Sequence, residues 1–195
     1  MKTVIKNAHV ISPGVEIEGA TVVIEKGRIA RVGKFAAPKP KAGDTVVDAK
    51  GNYLMPGFID VHTHGALECD FCDPDPQAVF KLAEGKLQEG CTSFLPTTLT
   101  VSHEELIAAA ENAKAYVKAG SPYAKILGIH LEGPFINIKC CGAQNPKYVR
   151  KPSIMTRFVC LNIILDSMYK MKNNEERKIR SKQAAAEALV QCGWG

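Results

Sequence analysis

The chain has 195 residues, 46% of them hydrophobic, and a formal net charge of +5, an apolar content that is sufficient for a globular core. The lysines and arginines are spread along the chain without a dense basic run, and no segment reaches the roughly 18 apolar residues of a membrane span, so we expect neither a nucleic-acid nor a membrane partner. Seven cysteines and no secretory signal indicate reduced thiols and a cytoplasmic location.

Short β-rich runs fill the first part of the chain. They lie at 2–11, 21–32 and 45–48, and Lys26-Gly27 is the predicted hairpin turn within the second run. The segment 36–44, AAPKPKAGD, is predicted to be a surface loop because its prolines and glycine suit neither a helix nor an inner strand. Residues 1–55 are therefore predicted to form a small all-β unit.

From Pro56 onward, strands alternate with helical patterns. The predicted strands lie at 57–63, 91–100 and 125–136, and the predicted helices fall within 76–90 and 103–120. Ser102 and Glu105 form a capping box that starts the second helix. Gly90 and Gly120 are expected at the helix ends. This alternation is typical of βα units and a parallel sheet.

Each of the three predicted strands ends in a distinctive polar group. His62 and His64 end the first strand, Pro96-Thr97-Thr98 lies in the second, and His130 with Glu132 lies in the third. In parallel α/β folds, functional groups gather at the carboxyl ends of the strands, so we expect these groups to share one mouth. Imidazole nitrogens and a carboxylate oxygen are suitable ligands for zinc or another first-row divalent ion. The pattern predicts a metal site.

Some of these residues have simpler interpretations. An H-x-H motif alone is a weak sign of a metal site, whereas Glu132 in the apolar frame LGIHLEGPF is a stronger one, because a buried carboxylate must be paired or coordinate something. His130 could be a ligand, a substrate contact or a core histidine. The Cys69-x-x-Cys72 motif could bind structural zinc or act in redox chemistry, but free thiols are favoured there and at Cys140-Cys141.

Three segments carry a resemblance to a known family in their order and spacing. They are MPGFIDVHTHG (55–65), GCTSFLPTTLT (90–100) and ILGIHLEGPFINIKCCGAQNP (126–146). Over roughly residues 1–154, the chain resembles the N-acetylglucosamine-6-phosphate deacetylases of the amidohydrolase superfamily. The combination of HLEGPF and GAQNP is the most specific part, since H-x-H alone would indicate only the superfamily.

The resemblance implies an α/β fold in three parts. A small β-sandwich would occupy residues 1–55, and the first three βα units of a metal-dependent (β/α)8 TIM-like barrel would occupy residues 56–154. Residues 155–195 depart from the family pattern, contain no histidine, and have Asp166 as their only aspartate, outside the family's context. We interpret this part as a divergent tail of a truncated or frameshifted gene, with a terminal helix by propensity.

The resemblance also implies roles for individual residues. Glu132 would be the metal ligand at the end of the third strand, and His62 and His64 would be the pair that binds a metal in the members that keep both. Ala143 and Gln144 match the loop position that contacts the sugar, where the family often has histidine in place of Gln144. One or two divalent ions, zinc first among them, would be bound.

The reaction implied is hydrolysis of the acetamide of N-acetylglucosamine 6-phosphate to glucosamine 6-phosphate and acetate, with a water activated by the metal. An aspartate would pass a proton to the leaving amine, but this aspartate, like the family's further histidines, falls in sequence that the chain lacks, so no catalytic residue is assigned. The partner would be a small amino-sugar phosphate, and an intact chain would form a homodimer. Two alternatives stay open: an inactive metal-binding fragment, and another amidohydrolase acting on a cyclic amide.

Overall fold

The computed structural model describes residues 2–151, and the predictions for the tail lie outside the described residues. The described part of the chain is mixed α/β. It divides into two compact units, of which the first runs from Met1 to Pro56 and the second begins at Gly57. Within residues 2–151, no helix has the length and apolar character needed to cross a membrane.

The first unit is built from strands alone. These are β1 (Lys2–Ser12), β2 (Val15–Glu25), β3 (Arg28–Gly33), β4 (Thr45–Asp48) and β5 (Tyr53–Leu54). They form one sheet in the order β3-β2-β1-β4, with β5 also paired to β1. The β1-β2 and β2-β3 pairs are antiparallel, whereas β4 and β5 run parallel to β1. Small and β-branched side chains of β1 and β2 form its core: Ala8, Val10, Ala20 and Val22.

In this unit, the local sequence predicted the positions of the turns more accurately than the ends of the strands. The hairpin turn at Lys26-Gly27 is confirmed, with φ of 51° and 73° at its two residues, as a type I′ turn requires. The predicted loop at 36–44 is also confirmed. The second strand, however, begins at Val15 rather than at Thr21, because the chain continues through Gly19, which has a φ of 63°, without leaving the sheet. The β-sandwich stays a prediction.

The second unit contains a parallel sheet and two helices. Its elements are β6 (Phe58–Thr63), β7 (Gly65–Ala66), β8 (Cys69–Asp70), α1 (Pro76–Gln88), β9 (Cys91–Pro96), α2 (His103–Ala119) and β10 (Lys125–Ile126), followed by 3₁₀ turns at Ile138–Cys140 and Pro146–Tyr148. The sheet has the order β10-β9-β6, and both of its pairs are parallel. Strands β7 and β8 form a small antiparallel pair. The predicted parallel arrangement of the βα units is therefore confirmed, while the full barrel stays a prediction.

Both helices begin and end at residues whose side chains or backbone angles explain the boundary. The Asp75 side chain accepts a hydrogen bond from the second residue of the Pro76-initiated helix α1. The predicted capping box of Ser102 and Glu105 is present at the start of α2, and Gly120 ends it with a left-handed φ of 67°. Glu89, and not Gly90, is the C-cap of α1, so that prediction was one residue late.

The core of this unit lies where the two helices pack against the sheet. Phe94 of β9 and Phe71 are both 0% exposed. Apolar side chains of both helices surround them: Val79, Leu82, Ala83, Ala109, Ala110, Ala113 and Tyr116. This packing fixes the strands and thus the position of the residues that follow each strand end.

The third predicted strand, 125–136, is mostly wrong as a continuous strand. Only Lys125–Ile126 forms a ladder with β9, and an isolated parallel bridge joins Thr97 to His130. Gly128 and the Gly133-Pro134 pair, with a φ of 74° at Gly133, explain the interruption. The backbone nevertheless follows β9, since the N–H of His130 donates to the carbonyl of Pro96 at 3.0 Å.

Candidate metal centre

Three of the residues predicted as ligands converge at the carboxyl end of the parallel sheet. His62 is the fifth of the six residues of β6, and His64 follows the last residue of this strand. Glu132 comes two residues after His130, whose bridge to Thr97 extends the pairing with β9. Neighbouring strand ends therefore bring the two histidines and the glutamate together.

The donor atoms of these three side chains form a small triangle, which we call the donor triangle. Oε2 of Glu132 lies 2.9 Å from Nε2 of His62 and 3.1 Å from Nε2 of His64, and the two Nε2 atoms are 3.3 Å apart. Ligand atoms in a tetrahedral zinc site, with bonds of about 2.0–2.1 Å, lie about 3.3 Å apart. One divalent ion is therefore of the right size to bind all three atoms.

The proton on His64 shows why a cation suits the donor triangle. Nδ1 of His64 lies 3.2 Å from the carbonyl oxygen of Thr97. A carbonyl only accepts, so this contact assigns a proton to Nδ1 and leaves Nε2 as the ring nitrogen that can offer a lone pair to a cation.

The carboxylate side of the triangle points to the same requirement. Oε2 of Glu132 is buried and, among the described residues, has no hydrogen bond of acceptable geometry, although both imidazole nitrogens are close. Converging lone pairs repel unless a positive charge lies between them. One added proton could bridge only one pair of atoms, whereas a metal ion would satisfy all three, and two imidazoles with one carboxylate are a donor set that fits zinc.

Two buried threonines connect the strand ends that carry the donor triangle. Thr97 and Thr98 are 0% and 2% exposed. The Oγ1 atom of Thr97 accepts the N–H of Thr63 at 3.0 Å, next to both histidines. The Oγ1 atom of Thr98 accepts the N–H of Glu132 at 3.1 Å. The two hydroxyls therefore set the spacing between the histidines and the glutamate.

The loop predicted to contact the sugar lies beside Glu132. Nε2 of Gln144 donates to Oε1 of Glu132 at 2.7 Å, and Oε1 of Gln144 accepts the backbone N–H of Thr100 at 2.6 Å. Ala143, the other residue predicted there, is exposed in the turn just before Gln144. The amide of Gln144 is thus engaged by protein groups at both of its ends.

His130 lies outside the donor triangle but touches it. Its Nδ1 lies 3.2 Å from the carbonyl oxygen of Val61, and its ring packs edge to face against His62 with centroids 4.6 Å apart. The ring is partly exposed, so the interpretation of His130 as a core histidine was wrong. A role as a ligand or a substrate contact stays a prediction.

The cysteines behave as free thiols, as expected. Cys69, Cys72, Cys140 and Cys141 form no disulfide. The Sγ atom of Cys72 accepts the N–H of Leu99 at 3.3 Å, and burial raises the pKa of this thiol to about 11. Neither Cys69 nor Cys72 joins a group of three possible metal ligands among the residues described.

A buried lysine near the sheet was missed by the sequence analysis. Lys86 is 6% exposed, and its Nζ donates to Oδ2 of Asp60 at 3.1 Å and to Oε2 of Glu89 at 2.6 Å. Burial opposes ionisation of Asp60, but the N–H of His62 and the ammonium of Lys86 hold its pKa below the usual value. With Cys91, these carboxylates have a metal-like spacing, but the ammonium of Lys86 already pairs with both of them. The helical spacing of α1 could have indicated this burial, because Lys86 lies on the same helix face as the buried Val79, Leu82 and Ala83.

Comparison with known proteins agrees with this arrangement. Residues 45–126, which include both histidines of the donor triangle, match the Amidohydrolase family. The donor triangle lies at the carboxyl ends of parallel strands, where enzymes built from βα units place their functional groups. The resemblance seen in the sequence is confirmed.

The particular relatives are sugar-phosphate deacetylases. The chain is 30% identical over 154 residues to N-acetylglucosamine-6-phosphate deacetylase of Lysinibacillus sphaericus. The matched region covers 79% of this chain and 39% of the relative. It is 36% identical over 110 residues to N-acetylgalactosamine-6-phosphate deacetylase of Escherichia coli O157:H7, and this match covers 56% of this chain and 29% of the relative. The chain thus spans about two fifths or less of these relatives' lengths.

The solved structures show the same likeness at the level of the fold. The structure of N-acetylglucosamine-6-phosphate deacetylase from Pasteurella multocida matches with a TM-score of 0.71 at 24% identity, covering 84% of this chain and 42% of that chain. The chain therefore shares the fold of the corresponding part of that enzyme.

Proposed function

We propose that the chain is the N-terminal part of a metal-dependent deacetylase that converts N-acetylglucosamine 6-phosphate to glucosamine 6-phosphate and acetate. The donor triangle of His62, His64 and Glu132 is the observation that carries this proposal. The names of the curated relatives supply the substrate class, an N-acetylated hexosamine 6-phosphate. In this proposal the parallel βα units begin a (β/α)8 barrel, and the first unit corresponds to a β-sandwich.

The ligand set explains which metal chemistry the site would support. When bound, a divalent ion such as zinc supplies a polarised amide carbonyl and a water of lowered pKa. His62 and His64 are neutral ligands and Glu132 is an anionic one, so the site keeps a net positive charge on the ion. Three protein ligands also leave one position of a tetrahedral ion for water or substrate.

The sugar would lie against the loop that contains Ala143. Because protein groups already engage both ends of the Gln144 amide, we propose that Ala143 contributes most to the sugar contact. A small exposed residue allows a ligand to approach the backbone closely. Gln144 would then contact the sugar only if one of its two hydrogen bonds opened.

A metal-binding chain without turnover is the second candidate. Within residues 2–151, the possible metal-binding group around Glu132 consists of Glu132, His62 and His64. This group contains no second carboxylate that could transfer a proton. Among the described residues, the donor triangle thus supplies metal ligands and no proton carrier. It does not favour a cyclic amide as the substrate.

The proposal is tested by zinc binding and acetate release with the purified full chain. We expect one zinc ion per chain, measured by competition with a chromophoric chelator. Glu132→Gln should weaken binding by more than the roughly 10–100-fold that loss of an outer-shell partner costs. Glu18→Gln, which changes an exposed glutamate of β2 in the first unit, is the matched control and should bind like wild type.

Two results would separate the candidates. Acetate release from N-acetylglucosamine 6-phosphate by the zinc-loaded chain, lost in Glu132→Gln, would support the deacetylase. A folded chain that binds zinc but releases no acetate would instead support binding without turnover. If folded wild type and Glu132→Gln bound zinc equally, the assignment of Glu132 as a ligand would be wrong.

A further inference from the structure

Gln144 lies between Glu132 and Thr100, which belongs to the segment that follows β9. Its Nε2 donates to Oε1 of Glu132 at 2.7 Å, and its Oε1 accepts the N–H of Thr100 at 2.6 Å. A carboxylate accepts and a backbone N–H donates, so the two partners together fix the orientation of the amide.

We infer that Gln144 is a positioning residue for the metal centre. Its amide donates a hydrogen bond to one carboxylate oxygen of Glu132, so that only the other oxygen faces the two histidines. This inference rests on the proposed function, since it concerns the orientation of a proposed metal ligand. It differs from the role that the family resemblance implies, in which Gln144 contacts the sugar. The residue acts through Glu132 and needs no contact with the substrate.

The geometry of Glu132 shows why such a restraint matters. Its backbone is held by the hydroxyl of Thr98, which accepts the Glu132 N–H at 3.1 Å. The side chain, however, has several rotatable bonds and is 32% exposed. Without Gln144, Oε1 could turn toward solvent or toward the metal, and binding would have to order the carboxylate. A fixed Oε1 leaves Oε2 at 2.9 and 3.1 Å from the two imidazole nitrogens.

The loop that carries Gln144 is itself held in place. Nη2 of Arg150 donates to the carbonyl of Val101 at 3.1 Å, and the Arg150 N–H donates to the carbonyl of Pro134 at 2.9 Å. The side chain of Asn145 accepts the N–H of Lys147 at 3.1 Å and starts the 3₁₀ turn. The loop is therefore tied to the segment after β9 and to the segment after Glu132, which are the two segments that Gln144 joins.

The test compares Gln144→Met with wild type in the full chain. Methionine has nearly the length of glutamine but can neither donate the hydrogen bond to Glu132 nor replace the amide oxygen that accepts the one from Thr100. We expect zinc binding, measured by chelator competition, to weaken about 10–100-fold with one ion still bound per chain. The visible absorption bands of bound Co²⁺ should also shift, because the carboxylate is oriented differently. Gln77→Met, at an exposed glutamine of α1, is the matched control and should leave both readouts unchanged.

Far-UV circular dichroism shows whether the variants are folded. If Gln144→Met does not fold, Gln144→Asn serves instead, because it keeps the amide but draws it back by one methylene, and it should show the same loss of zinc affinity. Unchanged zinc affinity and Co²⁺ bands in a folded Gln144 variant, while Glu132→Gln loses zinc, would overturn the inference and leave the metal centre standing. Equal effects of Gln144→Met and Gln77→Met would also overturn it. Folded wild type that binds no zinc would overturn the inference together with the proposed function.

Discussion

Replacing Thr97 with valine tests whether the threonine hydroxyls hold the strand ends together. The substitution keeps the shape of a side chain that is 0% exposed and removes only its hydroxyl. That hydroxyl accepts the N–H of Thr63 at 3.0 Å, and Thr63 is itself 7% exposed. In Thr97→Val this N–H therefore loses its partner in a place that water reaches poorly.

The magnitude follows from the hydrogen bonds that remain. A buried donor without a partner costs about 1–3 kcal/mol. The Thr97 hydroxyl also donates to the carbonyl of Leu95, but at 3.4 Å this bond adds little. The backbone bond from the Thr97 N–H to the Thr63 carbonyl, at 2.7 Å, is kept. We therefore expect a loss of about 1–2 kcal/mol in the free energy of unfolding of the second unit.

Urea unfolding followed by circular dichroism measures this loss, and hydrogen exchange of the Thr63 amide locates it. We also expect zinc affinity to fall by up to about tenfold, which corresponds to about 1.4 kcal/mol, because the Thr63 N–H that loses its partner lies in the chain between His62 and His64. Thr21→Val is the control: Thr21 is 4% exposed in the first unit and donates to the Phe35 carbonyl at 2.9 Å, so it should reduce stability without changing zinc affinity. Wild-type stability and unchanged exchange at Thr63 in Thr97→Val would refute the reasoning.

Two further predictions concern buried groups of the second unit. Lys86→Met should lower the free energy of unfolding by about 1–3 kcal/mol, because it leaves the Asp60 carboxylate without its ammonium partner, and Lys86→Met with Asp60→Asn should recover part of the loss in urea unfolding. The salt bridges raise the pKa of Lys86 against the effect of burial, so the contribution of Lys86 should be full below the ordinary lysine pKa and fade as pH rises through its higher folded value. Cys72, with its pKa raised to about 11 by burial, should react with iodoacetamide at pH 8 far more slowly than exposed Cys140 in peptide mass spectrometry, and equal labelling rates would contradict this.

The elements that sequence predicted well are those whose boundaries depend on neighbours in the chain. The capping box of Ser102 and Glu105, the left-handed Gly120 and the Lys26-Gly27 turn each involve residues within three positions of one another. The segment 125–136 was predicted poorly because its apolar, β-branched composition fits a strand. Its course depends on pairing with β9, which is about 30 residues away, and on Gly133, whose backbone lies against Thr100.

The same distinction explains what could be predicted of the candidate site. His62, His64 and Glu132 were selected because they lie near the ends of predicted strands, and parallel strands place their carboxyl ends together. The clamp of Gln144 on Glu132 and the hydrogen bond from Thr63 to Thr97 join residues 12 and 34 positions apart. Spacing in the sequence gives no sign of such partners, because they depend on how the loops fold over the sheet.

The partners of the donor triangle imply that the site is ordered by the protein rather than by the metal. The Thr97 carbonyl fixes the proton of His64, the Gln144 amide fixes Glu132, and Asp60 accepts the backbone N–H of His62 at 3.0 Å. Each ligand is thus held by a group from outside the donor triangle, so that metal binding need order few side chains. If metal ordered the site instead, Thr97→Val and Gln144→Met would change the stability of the metal-free chain but leave zinc affinity near wild type. Lower zinc affinity in both variants is what a site built in advance by the strand ends and the loop requires.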